Sequence, residues 1–99
     1  MATISSTVVE MLHHVFPQQA NPVGTLYGGW MMNWIVTAGN LAALRLTKRP
    51  LLLASIEDLF FLQPVRIGDV VSVKAMVEYI GSTSLEVEAV VFCKSLNEE

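Results

Sequence analysis

Residues 17–46 read PQQANPVGTLYGGWMMNWIVTAGNLAALRL, and the change of character inside this stretch decides the fold. Residues 17–29 hold two prolines, three glycines and Asn21, which is turn chemistry, so the chain crosses here from one element to the next. From residue 30 to residue 45 the apolar side chains fall on nearly every side, and at this length the pattern predicts a helix buried all round. Its polar residues Asn33, Thr37 and Asn40 stand at i, i+4 and i+7 and form one narrow stripe, as expected where a helix meets a symmetry mate or lines a pocket. Lys48 and Arg49 suit the carboxyl end of the helix dipole, and Pro50 ends the element.

Outward from the helix the periodicity changes. Residues 7–16 are rich in Val, Leu and Phe and stop at Pro17, which predicts a first strand. Residues 51–62 form a long apolar extended run interrupted by Glu57 and Asp58. Residues 69–80 alternate, with Val71, Val73, Ala75, Val77 and Tyr79 on one face and Ser72, Lys74 and Glu78 on the other. Gly81-Ser82-Thr83 predicts a hairpin turn, after which residues 83–94 alternate again, with Leu85, Val87, Ala89, Val91 and Cys93 opposite Glu86, Glu88 and Lys94. The order strand, helix, strand, strand, strand predicts an α+β fold in which an antiparallel sheet wraps one long central helix, with residues 1–99 as a single domain.

Composition bears on association and excludes several function classes. Of 99 residues 53% are hydrophobic and 15% charged, against roughly 25% charged in an ordinary soluble domain, which excludes disorder. A chain this short buries only about two thirds of its surface by itself, so its apolar content predicts a homodimer or higher homo-oligomer. The formal charge is −3 with basic residues scattered, and no nucleic-acid partner is expected. Residues 30–46 are too short and too polar for a membrane span, and the first ten residues lack the charge and apolar core of a signal peptide. The single cysteine, Cys93, cannot form an internal disulfide and has no spacing for zinc, so a cytoplasmic setting without metal is expected. Between Glu10 and Arg45 there is no Asp, Glu, Lys or Arg, and any chemistry in that stretch uses neutral groups.

Four places carry candidate chemistry. Gly28 and Gly29 open the helix, where free N–H groups form a site for a negative oxygen; spacing alone favours the plainer reading, a tight joint between loop and helix. Asn21 polarises a carbonyl or holds a water, or else starts a turn before Pro22. Glu57 and Asp58 are neighbours in an extended run and point to opposite faces, so one carboxylate is desolvated as a general base or pairs with Arg66 or Lys74. His13 and His14 also point to opposite faces and read as ordinary strand residues.

Residues 12–94 together resemble the hotdog-fold acyl-CoA thioesterases, also called acyl-CoA hydrolases. The resemblance rests on Asn21 four places before Thr25, on Gly28-Gly29-Trp30, on the corner Pro64-Val65-Arg66-Ile67-Gly68-Asp69 and on the turn from Gly81 to Ser84. It implies a sheet wrapped round a central helix, protomers paired so that active sites form across the dimer interface, and hydrolysis of a fatty acyl-CoA by water. It implies no cofactor, CoA being part of the substrate. Asn21 matches the asparagine that positions water or substrate, and Gly28 and Gly29 match the glycines whose N–H groups hold the thioester oxygen. Arg66, Thr83 and Ser84 match the corner and turn that touch CoA.

The sequence departs from the family pattern at Val36-Thr37, where the helix carboxylates stand in the family, and at Phe60 and Ser82. Valine neither takes a proton nor attacks a carbonyl. The family also has one more strand after the segment matching residues 83–94, so the expected sheet lacks its last strand or borrows an edge from a partner. Two readings follow: a thioesterase in which Glu57 is the base opposite Asn21, or a non-catalytic acyl-CoA-binding or assembly subunit that has lost the helix carboxylate.

Overall fold

The computed structural model describes residues 7–48 and 64–95. Strand β1 (Val9–His14) is followed by a 3-10 turn at Pro17–Gln19, helix α1 (Gly28–Thr47), strand β2 (Val70–Ile80) and strand β3 (Leu85–Lys94). The strands form an antiparallel sheet in the order β1-β2-β3. The expected strand at residues 51–62 lies outside the described residues, and Glu57, Asp58 and Phe60 lie there with it.

Helix α1 begins at Gly28, two residues before the apolar run, and ends at Lys48, whose φ of 60° reverses the chain while its N–H donates to the Leu44 carbonyl. Within one protomer it is not buried all round. Met31, Trp34, Ala38, Ala42 and Ala43 are buried, whereas Trp30, Leu41 and Leu44 are exposed. The reason is geometric: one sheet covers one stripe of a helix, and small side chains on that stripe let the backbone sit close to it. Ala38 and Ala42 are fully buried against a sheet face whose Val71, Val73, Ala75 and Val77 are equally inaccessible. Burying each valine stabilises the fold by about 1.5–3 kcal/mol.

The alternation of β2 holds as far as Val77 and then breaks. Val77 pairs with Val87, but Tyr79 pairs with Glu86, so one extra residue, Glu78, enters β2 at a bulge. An inserted residue turns the following side chains to the other face, and Tyr79, expected inward, is 58% exposed. Beside the bulge the Val77 N–H donates to the Oγ1 of Thr7, which is fully buried. The hairpin turn closes as expected, with the Gly81 N–H donating to the Ser84 carbonyl at 2.7 Å. A side chain at Gly81 would meet that same oxygen at 3.2 Å, so glycine is the residue that fits.

The corner at residues 64–69 ties the long loop to the sheet. The Asp69 carboxylate accepts the Arg66 N–H at 2.9 Å, the Asp69 carbonyl accepts the Val15 N–H, and Gly68, at φ +91°, donates its N–H to the Val15 carbonyl. From the loop, Leu26 N–H donates to the Val65 carbonyl, and Thr25 bridges Arg66. Loop, corner and helix start therefore form one structural unit at one end of the molecule.

Candidate functional site

The loop before α1 is organised by Asn21. Its Oδ1 accepts the N–H groups of Val23 and Thr25, each at 3.1 Å, and its Nδ2 donates to Thr25 Oγ1 at 2.7 Å. The Asn21 carbonyl accepts the Gly24 N–H, and its N–H donates to the Thr25 carbonyl. The turn reading of Asn21 is thus correct, and it leaves chemistry over. An amide nitrogen has two hydrogens, so one Nδ2–H remains, and the Thr25 hydroxyl, having accepted, still has its own proton to donate. Both donors are held in place by a loop in which the N–H groups from Val23 to Tyr27 all find acceptors.

The loop delivers the chain to the start of α1. Tyr27 is the residue before the helix and gives no side-chain cap. Its carbonyl accepts from Trp30 and Met31, while the N–H groups of Gly28 and Gly29 take no acceptor among the described residues. Two uncapped amides at a helix start carry the positive end of the dipole. Among the described residues nothing supports a packing reason for the two glycines. A Cβ built at either meets no atom of the described residues within 4 Å, and neither has a positive φ. Nothing among the described residues fills the space that side chains at 28 and 29 would take.

Arg66 lies at this end of the molecule, exposed and bridged through its backbone to Thr25. Thr83 and Ser84 do not join it. They are exposed at the far end of β2, and 11 strand residues separate that turn from the corner, on the order of 35 Å. One protomer therefore assembles Asn21, Gly28, Gly29 and Arg66, and leaves Thr83 and Ser84 apart. A shallow open depression of about 340 Å³, lined by Val9, Leu41, Leu44, Arg45 and Lys48, lies at the opposite end of α1 and has no part in this site.

Three features escaped the sequence reading. Thr25 appeared only as spacing relative to Asn21, and its hydroxyl proves to be the Asn21 partner. Asp69 is buried, and besides the Arg66 amide its carboxylate accepts from the Cys93 thiol at 3.4 Å; an aspartate three residues after the amide it holds was the available signal. His13 and His14 do point to opposite faces, but His13 is no ordinary strand residue. Its ring stacks on Trp34 at 4.2 Å with a 2° interplanar angle, and its Nε2 is buried without a hydrogen-bond partner. Burial pushes the imidazole below the usual histidine range. No group of three potential metal ligands occurs among the described residues. No helix among them is long and apolar enough to cross a membrane.

Residues 23–99 match the thioesterase superfamily. The chain belongs to that superfamily. It is 30% identical over 83 residues to the acyl-CoA thioester hydrolase YciA of Escherichia coli, covering 84% of this chain and 63% of that protein. The uncharacterised acyl-CoA thioester hydrolase YkhA of Bacillus subtilis is 34% identical over 73 residues, 74% of this chain and 42% of its own length. The chain thus spans about half the length of these superfamily relatives. Among solved superfamily structures, a hexameric hotdog-fold thioesterase of Campylobacter jejuni superposes with a TM-score of 0.83 at 32% identity, covering 89% of this chain and 66% of that one. The acyl-CoA hydrolase of Staphylococcus aureus, solved with butyryl coenzyme A and coenzyme A, superposes with a TM-score of 0.88 at 29% identity, covering 94% and 57%. The helix against an antiparallel sheet is therefore the hotdog fold.

Proposed function

We propose that this protein hydrolyses a fatty acyl-CoA thioester to the free acid and CoA. The observation that carries the reading is the pair of uncapped amides at Gly28 and Gly29, beside a loop that fixes Asn21. A thioester carbonyl seated there points its oxygen at the helix start, where the negative charge of the tetrahedral intermediate is held by N–H groups that need no reorganisation. The free Nδ2–H of Asn21 and the Thr25 hydroxyl orient the attacking water or the carbonyl. Water adds to the carbonyl carbon and gives up a proton. The intermediate then expels the CoA sulfur as thiolate, which is protonated as it leaves. Between Glu10 and Arg45 there is no carboxylate to take the water's proton, and we assign that step to Glu57, a carboxylate in an apolar run.

Residues 1–99 act in this reading as one hotdog domain in a cytoplasmic homo-oligomer, as the hexameric Campylobacter jejuni relative suggests. The second protomer completes the site and brings its own Thr83 and Ser84 toward the CoA that Arg66 of the first protomer meets. CoA is part of the substrate and no further cofactor is used. The test is release of free thiol from a panel of acyl-CoAs, with binding followed in parallel by calorimetry. Thiol release that Glu57→Gln abolishes supports the assignment, and an unchanged rate removes Glu57 from the mechanism. Binding of acyl-CoA without thiol release overturns the hydrolytic reading.

A further inference from the structure

His13 sits where the sheet touches the helix just behind the candidate site, and the contact has no use for charge. Its ring lies flat on Trp34, itself 4% exposed, and Trp34 in turn meets Trp30 at 6.4 Å, so three rings form a ladder from the sheet to the start of α1. Among the described residues, no charge on the elements around the ring compensates a proton on it. On β1 the neighbours Glu10 and His14 are exposed on the opposite face, His14 against Phe16. On β2 the strand partner of His13 is the fully buried Val71, and Lys74 is exposed on the outer face opposite Glu10. Helix α1 has no charged residue before Arg45. At the corner, Arg66 is exposed, and the Asp69 carboxylate accepts the Arg66 amide and the Cys93 thiol. On β3 the residue in line with His13 and Val71 is Cys93, and its neighbour Lys94 is exposed.

We propose that the His13–Trp34 stack is an acid-release latch: protonation of His13 detaches the end of β1 from α1 and frees the loop that carries Asn21. The mechanical link is short. His13 is two residues before Val15, whose N–H and carbonyl hold the corner, and four before the 3-10 turn that leads to Asn21. The ring is neutral in the folded state, and an imidazole exposed by unfolding or by release binds a proton at higher pH. The released state therefore takes up the proton first, and the latch weakens as pH falls below the usual histidine range. His13 lies on the sheet side of α1 and is not placed among the reacting groups; it acts through the loop.

The activity arm rests on the proposed hydrolysis, and the structural arm does not. Trp30 and Trp34 are the two tryptophans of the chain, so intrinsic fluorescence reports on the ladder directly. From about pH 8 to about pH 5 the protein should show a reversible fluorescence change, together with loss of amide exchange protection at His13, Val15 and Thr25. The midpoint should match titration of the His13 ring followed by NMR. His13→Phe keeps a stacking ring and removes the titration, and it should abolish the transition, while His14→Gln should leave it in place. Protection that persists while His13 titrates, or a transition that survives in His13→Phe, overturns the latch. In the wild type, thiol release should fall with the same midpoint and should resist acid in His13→Phe. A structural transition in a protein that hydrolyses no acyl-CoA at any pH sinks the functional reading and leaves the latch standing. Should His13→Phe fail to fold, the coincidence of ring titration and lost protection in the wild type still decides the matter.

Discussion

Asn21 builds a loop and, in the proposed reaction, also faces the substrate, and substitution separates the two duties. Alanine at 21 removes the acceptor of two backbone N–H groups and the partner of Thr25 Oγ1. Each bond in this part-buried turn is worth about 0.5–1.5 kcal/mol, so thermal unfolding of Asn21→Ala should show a loss of about 1–3 kcal/mol. Aspartate at 21 keeps both acceptor bonds and lets the Thr25 hydroxyl donate instead, so stability should stay near wild type. It has no N–H to offer the substrate, and turnover should still fall by about 10²-fold. Equal activity in the aspartate variant would confine Asn21 to the turn. Gly29 allows the complementary experiment. A methyl group there meets no atom of the described residues within 4 Å, and alanine favours helix by up to about 1 kcal/mol, so Gly29→Ala should unfold no earlier than wild type. The added carbon stands beside the amide that the proposed reaction assigns to the thioester oxygen, and on that reading thiol release should drop. A variant as active as wild type would return the glycines to a purely local role.

At the level of elements, the helix and the two long strands were legible because their signals are periodic and summed over ten or more residues. A bulge is one residue long, and nothing in the alternation of Val71, Val73, Ala75 and Val77 announces that Glu78 is supernumerary. The glycine pair carries two readings in sequence for a related reason: glycines packed against backbone and glycines leaving room look the same there, and only the surrounding atoms distinguish them. The stacking of His13 on Trp34 was equally hidden, since it joins residues on separate elements whose facing follows from the register of β1 on β2 and from how α1 lies across the sheet. Thr7 shows the energetic side of the same point. It lies outside β1, yet its fully buried hydroxyl accepts the Val77 N–H and completes the sheet at the bulge. Thr7→Val keeps the shape and strands that donor, which should cost about 1–3 kcal/mol in denaturant unfolding. A change below about 0.5 kcal/mol would mean that water or another acceptor replaces the hydroxyl.

At the scale of the whole molecule, part of the apolar excess that composition announced shows on two surfaces of the described residues. The face of α1 turned from the sheet exposes Trp30, Leu41 and Leu44, and the outer face of the sheet exposes Leu12, Val90 and Phe92. Leu12 and Phe92 flank Ser72 in one row across the three strands, so the second patch is continuous across the sheet. The surfaces differ in what they adjoin. The helix face shares α1 with the Gly28 and Gly29 amides and carries the stripe of Asn33, Thr37 and Asn40, so a protomer docking there sits next to the candidate site. The sheet face is separated from the helix by the sheet itself. Light scattering on the eluted protein should therefore show an oligomer at micromolar concentration, and the two patches should break it differently. Leu41→Lys with Leu44→Lys removes apolar burial worth about 3 kcal/mol and sets like charges against each other, raising the dimer dissociation constant by about 10²-fold or more, with thiol release falling in proportion to the dimer lost. Leu12→Lys with Phe92→Lys should at most reduce the size of the assembly and leave turnover per dimer unchanged. Monomers that keep full turnover after the helix-face substitutions would show that a single protomer holds the complete site.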